Sequence, residues 1–131
     1  MRILFIEDDY ITIHATKEHL ELLGHIVEIV SDTNEAIDRI ESEEYDVILI
    51  DIMLPTGKYF TLEDTYEGRY TGLKIIEHIK TNERALLNRD KKIFLITNWR
   101  DNPLVEKRSE QFNIPIINKP LIISELEKVL K

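Results

Sequence analysis

Asp46-Val47-Ile48-Leu49-Ile50-Asp51-Ile52-Met53-Leu54-Pro55 decides the reading of this chain. Its apolarity is continuous rather than alternating, which marks a short strand covered on both faces. Asp51 then stands at the carboxyl edge of a buried parallel sheet, where open α/β sheets place their ligands. Three further strands end in the same manner. Ile3-Leu4-Phe5-Ile6 runs into Glu7-Asp8-Asp9, Ile93-Phe94-Leu95-Ile96 ends on Thr97, and Ile116-Ile117-Asn118 ends on Lys119. Acids, a hydroxyl and an amine therefore converge on one edge.

Working outward, strands are predicted at residues 3–6, 26–30, 47–50, 93–97 and 114–118, with helical stripes between them. Ile13, Thr16, Leu20 and Leu23 recur at three- and four-residue steps before Gly24, a helix stop. Ala36, Ile37 and Ile40 follow the capping residues Asp32 and Thr33. Leu73, Ile75, Ile76 and Ile79 follow Gly72. Pro103 suits the first turn of a helix over 104–112, and a last helix covers 121–130. This β-α alternation predicts an α/β doubly wound parallel sheet with right-handed crossovers. Residues 56–71 break the alternation: they are polar and irregular, and carry Tyr59, Phe60, Tyr66 and Tyr70. A loop of this length in a compact domain suggests a binding loop as readily as a passive insertion.

At 131 residues the chain fits one domain, spanning 1–131. A net charge of −8 argues against a surface that grips nucleic acid directly. With no cysteine, neither a disulfide framework nor a thiolate metal site can form, which fits a reducing cytoplasmic setting. The chain opens on a strand with no charged-then-apolar leader, so no secretory signal is expected. No apolar run approaches the roughly 20 residues of a membrane helix.

Clustered carboxylates repel one another and call for a neutralising partner. Glu7, Asp8 and Asp51 read as a site for a hard, oxygen-seeking cation, Mg²⁺ above all. No His or Cys is spaced for zinc. Lys119 offers a point charge for a phosphate oxygen and Thr97 a hydroxyl. Together they would surround a phosphoryl group on Asp51, since carboxylates serve as covalent acceptors and phosphoryl transfer depends mainly on positioning and charge neutralisation.

These stretches, with Gly72-Leu73, Leu95-Ile96-Thr97 and Lys119-Pro120, resemble in order and over nearly the whole chain the receiver domain of two-component response regulators. The resemblance implies a flavodoxin-like (βα)5 sheet of order 2-1-3-4-5, and phosphorylation of Asp51 by a histidine kinase or phosphotransfer protein. It implies that Glu7 and Asp8 hold Mg²⁺, with the Met53 backbone carbonyl as a further ligand. Thr97 is then the switch hydroxyl and Lys119 the phosphate-binding amine, and the Lys119–Pro120 peptide is expected cis. No enzyme activity beyond self-catalysed phosphotransfer and slow autodephosphorylation is implied. Output is expected as contact with a downstream protein through the fourth helix, fifth strand and fifth helix, a face also open to homodimerisation.

Three departures qualify this. Asn98 stands after Thr97 where the family has a small residue, predicting slower loss of the phosphoryl group. Ile116 stands where many receivers carry the aromatic that moves with the threonine, a role Trp99 could take over. The 56–71 insertion is expected beside the phosphorylation site, gating the donor or binding the partner. A haloacid-dehalogenase phosphatase would need an acid at Met53, and a Toprim nuclease fails on the same two-residue step. A flavin or dinucleotide fold would need a phosphate loop where Glu7-Asp8-Asp9 stands. A pseudo-receiver, acting as a phosphorylation-independent interaction module, is the alternative. His14, His19, His25 and His78 read as surface or partly buried histidines rather than phosphodonors, and Glu28, Glu41, Glu43 and Glu44 as solvated acids.

Overall fold

The computed structural model describes every residue except Arg100. In chain order the elements are β1 (Arg2–Ile6), α1 (Tyr10–Leu22), β2 (Ile26–Val30), α2 (Thr33–Ser42), β3 (Val47–Asp51) and α3 (Thr71–Thr81). A 3₁₀ helix (Glu83–Asn88), β4 (Lys92–Thr97), α4 (Pro103–Phe112), β5 (Ile116–Asn118) and α5 (Ile123–Leu130) follow. The strands pair in parallel in the order β2-β1-β3-β4-β5, the doubly wound flavodoxin-like sheet that the alternation predicts.

Strand pleating divides the core in two. Leu4, Ile6, Ile48 and Ile50 face Ile37, Ile40, Leu73 and Ile76 of α2 and α3. Ile3, Phe5, Val47 and Leu49 face Ile13 and Leu20 of α1 and Leu126 and Leu130 of α5. Every residue of β3 is buried, which is why its sequence shows no period of two. Each such Ile or Leu contributes about 1.5–3 kcal/mol through the water it sheds. The strand ends are thereby fixed, and with them the residues just beyond.

Boundaries differ from the sequence reading by one or two residues at several ends, with α5 starting at Ile123 rather than residue 121, and three further differences have a local reason. β5 begins at Ile116, because Asn113 closes α4 in the left-handed conformation (φ 54°) and the Ile114 amide turns back to the Ser109 carbonyl at 2.9 Å. The 3₁₀ helix was not predicted. The Asn82 side chain caps it through the Arg84 amide, and it places the buried Asn88 to bond Tyr45 N, Ile40 O and Glu43 O at 2.9, 2.8 and 2.7 Å. α3 starts at Thr71, so Gly72 lies inside the helix rather than before it.

The 56–71 stretch is a series of turns tied down at both ends. On one side the Thr33 hydroxyl donates to the Pro55 carbonyl, the Lys58 amide to Asn34 Oδ1 at 2.8 Å, and the Tyr59 hydroxyl to Asp38 Oδ1 at 3.0 Å. On the other, the buried Thr71 hydroxyl donates to the Leu54 carbonyl at 2.7 Å, and Gly72 N to the Ile52 carbonyl at 2.8 Å. Within it, Thr65 is fully buried and its hydroxyl donates to the Thr61 carbonyl at 2.9 Å while accepting from Gly68 N at 3.0 Å. The stretch is ordered by its own hydrogen bonds.

Gly72 has a specific reason to be glycine. A Cβ there would fall far inside van der Waals contact with the Asp51 carbonyl oxygen and the Ile52 Cα, both backbone atoms that cannot step aside. Gly72→Ala is therefore expected to lower the free energy of unfolding by about 2–3 kcal/mol or more, read as a shift in urea midpoint at unchanged m-value.

Candidate functional site

The register of the sheet assembles the site. Ile6 pairs with Ile50, so Glu7 and Asp51 leave neighbouring strands side by side. Asp51 pairs with Ile96 and Thr97 with Asn118, so Thr97 and Lys119 follow at the same edge. Asp9 then caps α1: its Oδ1 accepts from the Thr12 amide at 3.3 Å and its Oδ2 from the Thr12 hydroxyl at 2.6 Å, bending the chain away after Glu7-Asp8.

Lys119 holds the acids together. Its Nζ lies 2.7 Å from Glu7 Oε2 and 3.2 Å from Asp51 Oδ2. Glu7, Asp51 and Thr97 are buried, Asp8 and Met53 are exposed, and Lys119 lies between. The Lys119–Pro120 peptide is cis. One carboxylate oxygen from each of Glu7, Asp8 and Asp51 lies within 4.8 Å of the others. All three line a cleft of about 180 Å³ with Met53, Thr97, Asn98, Trp99 and Lys119. Asp51 is reachable from solvent while its strand is not.

Charge is distributed unevenly within this cluster. Burial first, then the facing Glu7, pushes the Asp51 carboxyl up to about 7, with Lys119 pulling the other way. Burial opposes ionisation of Glu7 too, but its partners Asp51 and Lys119 and the Asp9 amide outweigh it and hold Glu7 below the usual carboxylate range. Burial and Glu7 push Asp8 up. Lys119 is raised, because the two carboxylates overcome the effect of its burial. One ammonium thus faces more negative charge than it can neutralise, and an all-oxygen donor set of this kind fits a hard divalent cation.

The sequence-predicted residues Glu7, Asp8, Asp51, Met53, Thr97 and Lys119 all reach this one cleft. The 56–71 stretch lies beside the cleft rather than in it: none of its residues lines the cleft, but Tyr70 packs on Trp99, which does. It is tied to α2 through Tyr59 and Asp38 and to the cleft wall through Tyr70 and Trp99, and with α3 and α4 it lines a separate cavity of about 470 Å³. The Trp99 amide bonds Thr97 Oγ1 at 2.9 Å, a contact that no spacing in the sequence signals. The histidines lie elsewhere, His14 beside Glu18, His19 beside Glu127, and His78 beside Glu41 at 2.9 Å.

A family model for the response regulator receiver domain matches residues 3–131. The chain belongs to that family. Receivers of this family are signalling phosphoacceptors in two-component systems, with histidine kinases or phosphotransfer proteins as their partners. The transcriptional regulatory protein CrdR of Helicobacter pylori is 27% identical over 130 residues, 99% of this chain and 53% of that protein. The chain spans about half or less of the length of the first curated relatives it matches. A CheY-like receiver from Methanospirillum hungatei JF-1 is 26% identical at a TM-score of 0.75, over 98% of this chain and 89% of that one. The receiver of sensor histidine kinase PA1611 from Pseudomonas aeruginosa PAO1, solved with magnesium in its active-site cleft, has the same fold. It is 24% identical at a TM-score of 0.73, over 98% and 93% of the two chains. Among the described residues no helix is long and apolar enough to cross a membrane.

The raised Asp51 carboxyl has a measurable sign. Between about pH 4 and 7 the folded state keeps a proton that the unfolded chain has released, so stability without divalent cation falls as pH rises through that window. Asp51→Asn removes this dependence. Its advantage over the wild type is expected to grow from near zero at about pH 4 to about 1–3 kcal/mol above pH 7, measured by urea unfolding in chelator.

Proposed function

We propose that Asp51 is the phosphoacceptor of a two-component phosphorelay, loaded by a histidine kinase or phosphotransfer protein with Mg²⁺ present. The observation that carries this reading is the lysine bridge, with Lys119 Nζ 2.7 Å from Glu7 and 3.2 Å from Asp51 at the floor of an open cleft. In the transfer, an Asp51 carboxylate oxygen bonds phosphorus as the donor's phosphorus–nitrogen bond breaks, and the donor nitrogen keeps the electron pair. Lys119 turns from Asp51 Oδ2 to a phosphoryl oxygen while Glu7 holds its other side. The Thr97 hydroxyl donates to a second oxygen. Glu7, Asp8, Asp51 and the Met53 carbonyl would hold Mg²⁺, which when bound neutralises charge on the acids and the incoming phosphoryl group. Water attacking phosphorus later returns Asp51 and inorganic phosphate.

The domain in this reading runs over 1–131, with residues 56–71 as an addition to the receiver plan. The proposed output is protein contact through α4, β5 and α5 in the cytoplasm, without direct nucleic-acid binding by this acidic domain and with self-association on the same face as a second use. Exposed Asn98 lines the cleft next to Thr97, where it narrows the approach of water to phosphorus.

Incubation with acetyl phosphate and Mg²⁺, followed by intact mass measurement, is expected to add one phosphoryl group. The gain should vanish in Asp51→Asn and on chelation, and decay faster in Asn98→Ala than in the wild type. No gain under these conditions would favour a phosphorylation-independent interaction module instead.

A further inference from the structure

The turns at 61–70 meet the loop between β4 and α4 at one aromatic contact. The edge of Tyr70 packs on Trp99, with ring centroids 5.1 Å apart and planes at 64°. The Tyr70 hydroxyl accepts from Asn102 Nδ2 at 3.1 Å. Asn102 in turn caps α4, accepting from the amides of Leu104 and Val105 at 3.1 Å each. Behind Tyr70 stands Tyr66, centroids 5.5 Å apart at 79°. In front, the Trp99 amide donates to Thr97 Oγ1 at 2.9 Å. A continuous path therefore runs Thr97–Trp99–Tyr70–Tyr66, with a branch to the first turn of α4.

The Thr97 hydroxyl has one proton to donate and an oxygen that accepts, so its bond to the Trp99 amide lasts only as long as the side chain keeps its present rotation. Its oxygen accepts from the Trp99 amide in this state, and turning the side chain toward a phosphoryl oxygen on Asp51 carries that acceptor away. The freed amide of half-buried Trp99 then takes a new partner, and a backbone shift that supplies one would move its ring relative to Tyr70. Both flanks of the contact carry residues in left-handed conformations that L side chains rarely adopt: Tyr66 (φ 51°), Glu67 (φ 60°) and Asp101 (φ 56°). Such backbone is kept only while its surroundings enforce it, and it concentrates in segments that switch.

We propose that Tyr70 is a positioning residue for the phosphoryl site: it holds Trp99 against Thr97 in the resting state, so that loading Asp51 displaces the aromatic pair and loosens residues 61–70. This rests on Asp51 being the phosphoacceptor. Coupling is reciprocal, so a contact that favours the resting arrangement also opposes loading. An aromatic pair of this type corresponds to about a 2- to 10-fold change in an equilibrium.

Trp99 is the sole tryptophan, so its fluorescence reports the contact directly. The full chain is titrated with beryllium fluoride in Mg²⁺, binding is followed by fluorine NMR, and amide exchange is measured across 61–70. In the wild type, loading should shift Trp99 emission and speed exchange at Glu67 and Tyr70, whose amides bond Leu62 O at 2.7 Å and Thr65 O at 3.0 Å. Tyr70→Leu should bind beryllofluoride about 2- to 10-fold more tightly, with exchange at 61–70 no longer responding to loading. Tyr70→Phe, which keeps the ring and loses the Asn102 bond, should fall between. A Tyr70 with a merely structural role would change the unfolding midpoint and leave beryllofluoride affinity untouched, which overturns the proposal. Should the variants not fold, the wild type decides alone: bound beryllofluoride with unchanged emission and unchanged exchange at 61–70 also overturns it. Absence of binding to the wild type removes the phosphoacceptor reading and this inference with it.

Discussion

Lys119 Nζ between Glu7 and Asp51 is the interaction on which the edge of this sheet depends. Two buried carboxylates on adjacent strand ends would otherwise repel across low dielectric, and β1 and β3 could not both finish at this level. The lysine arrives from β5, two strands away, so the charge balance requires that β4 and β5 be in register. Fold and site are thus one condition. The compensation is incomplete, with Asp51 raised to about 7 and Glu7 held low, and a bound cation would relieve this residual imbalance.

The opposite edge of the sheet is built differently. There Arg2 pairs with Glu28 at 3.0 Å and Glu43 at 3.3 Å, and its guanidinium lies 4.7 Å from the centre of the Tyr45 ring. Arg39 joins Glu28 at 2.5 Å and Glu35 at 3.2 Å. Glu28 and Glu43, which read as solvated acids in sequence, are therefore members of a network, and Lys91 adds Glu44. Surface pairs are each worth only up to about 1 kcal/mol, but as a group they tie β1, β2 and α2 at the end where no chemistry is placed. Charge is closer to balance at this rim, with three cations to four acids, than at the cleft, where one ammonium faces three carboxylates.

The sequence was most legible where burial is complete. β1, β3 and β4 are covered on both faces, and their unbroken apolar runs could be read without a partner strand. Glu7, Asp51 and Thr97 were legible for the same reason, since each closes or follows such a run, whereas Lys119 follows β5, which is only partly covered. What was hidden depends on contacts between residues distant in sequence. The 3₁₀ helix owes its place to Asn88 reaching Ile40, Glu43 and Tyr45, more than forty residues away. The start of β5 is not marked in sequence, because Ile114 is apolar and buried yet belongs to the turn that ends α4. The turns at 56–71 look structureless in sequence because much of their order comes from Thr61, Thr65 and Thr71 side chains bonding local backbone, a pattern with no apolar period.

Both ends of those turns return to nearly the same point: Thr71 donates to the Leu54 carbonyl, one residue from the Pro55 carbonyl that Thr33 holds. Gly72, pressed against the Asp51 backbone, closes the excursion. The chain therefore leaves and rejoins the receiver plan without displacing a strand. A change in the length or composition of this stretch would leave the strand ends, and the acids and lysine they carry, in registration.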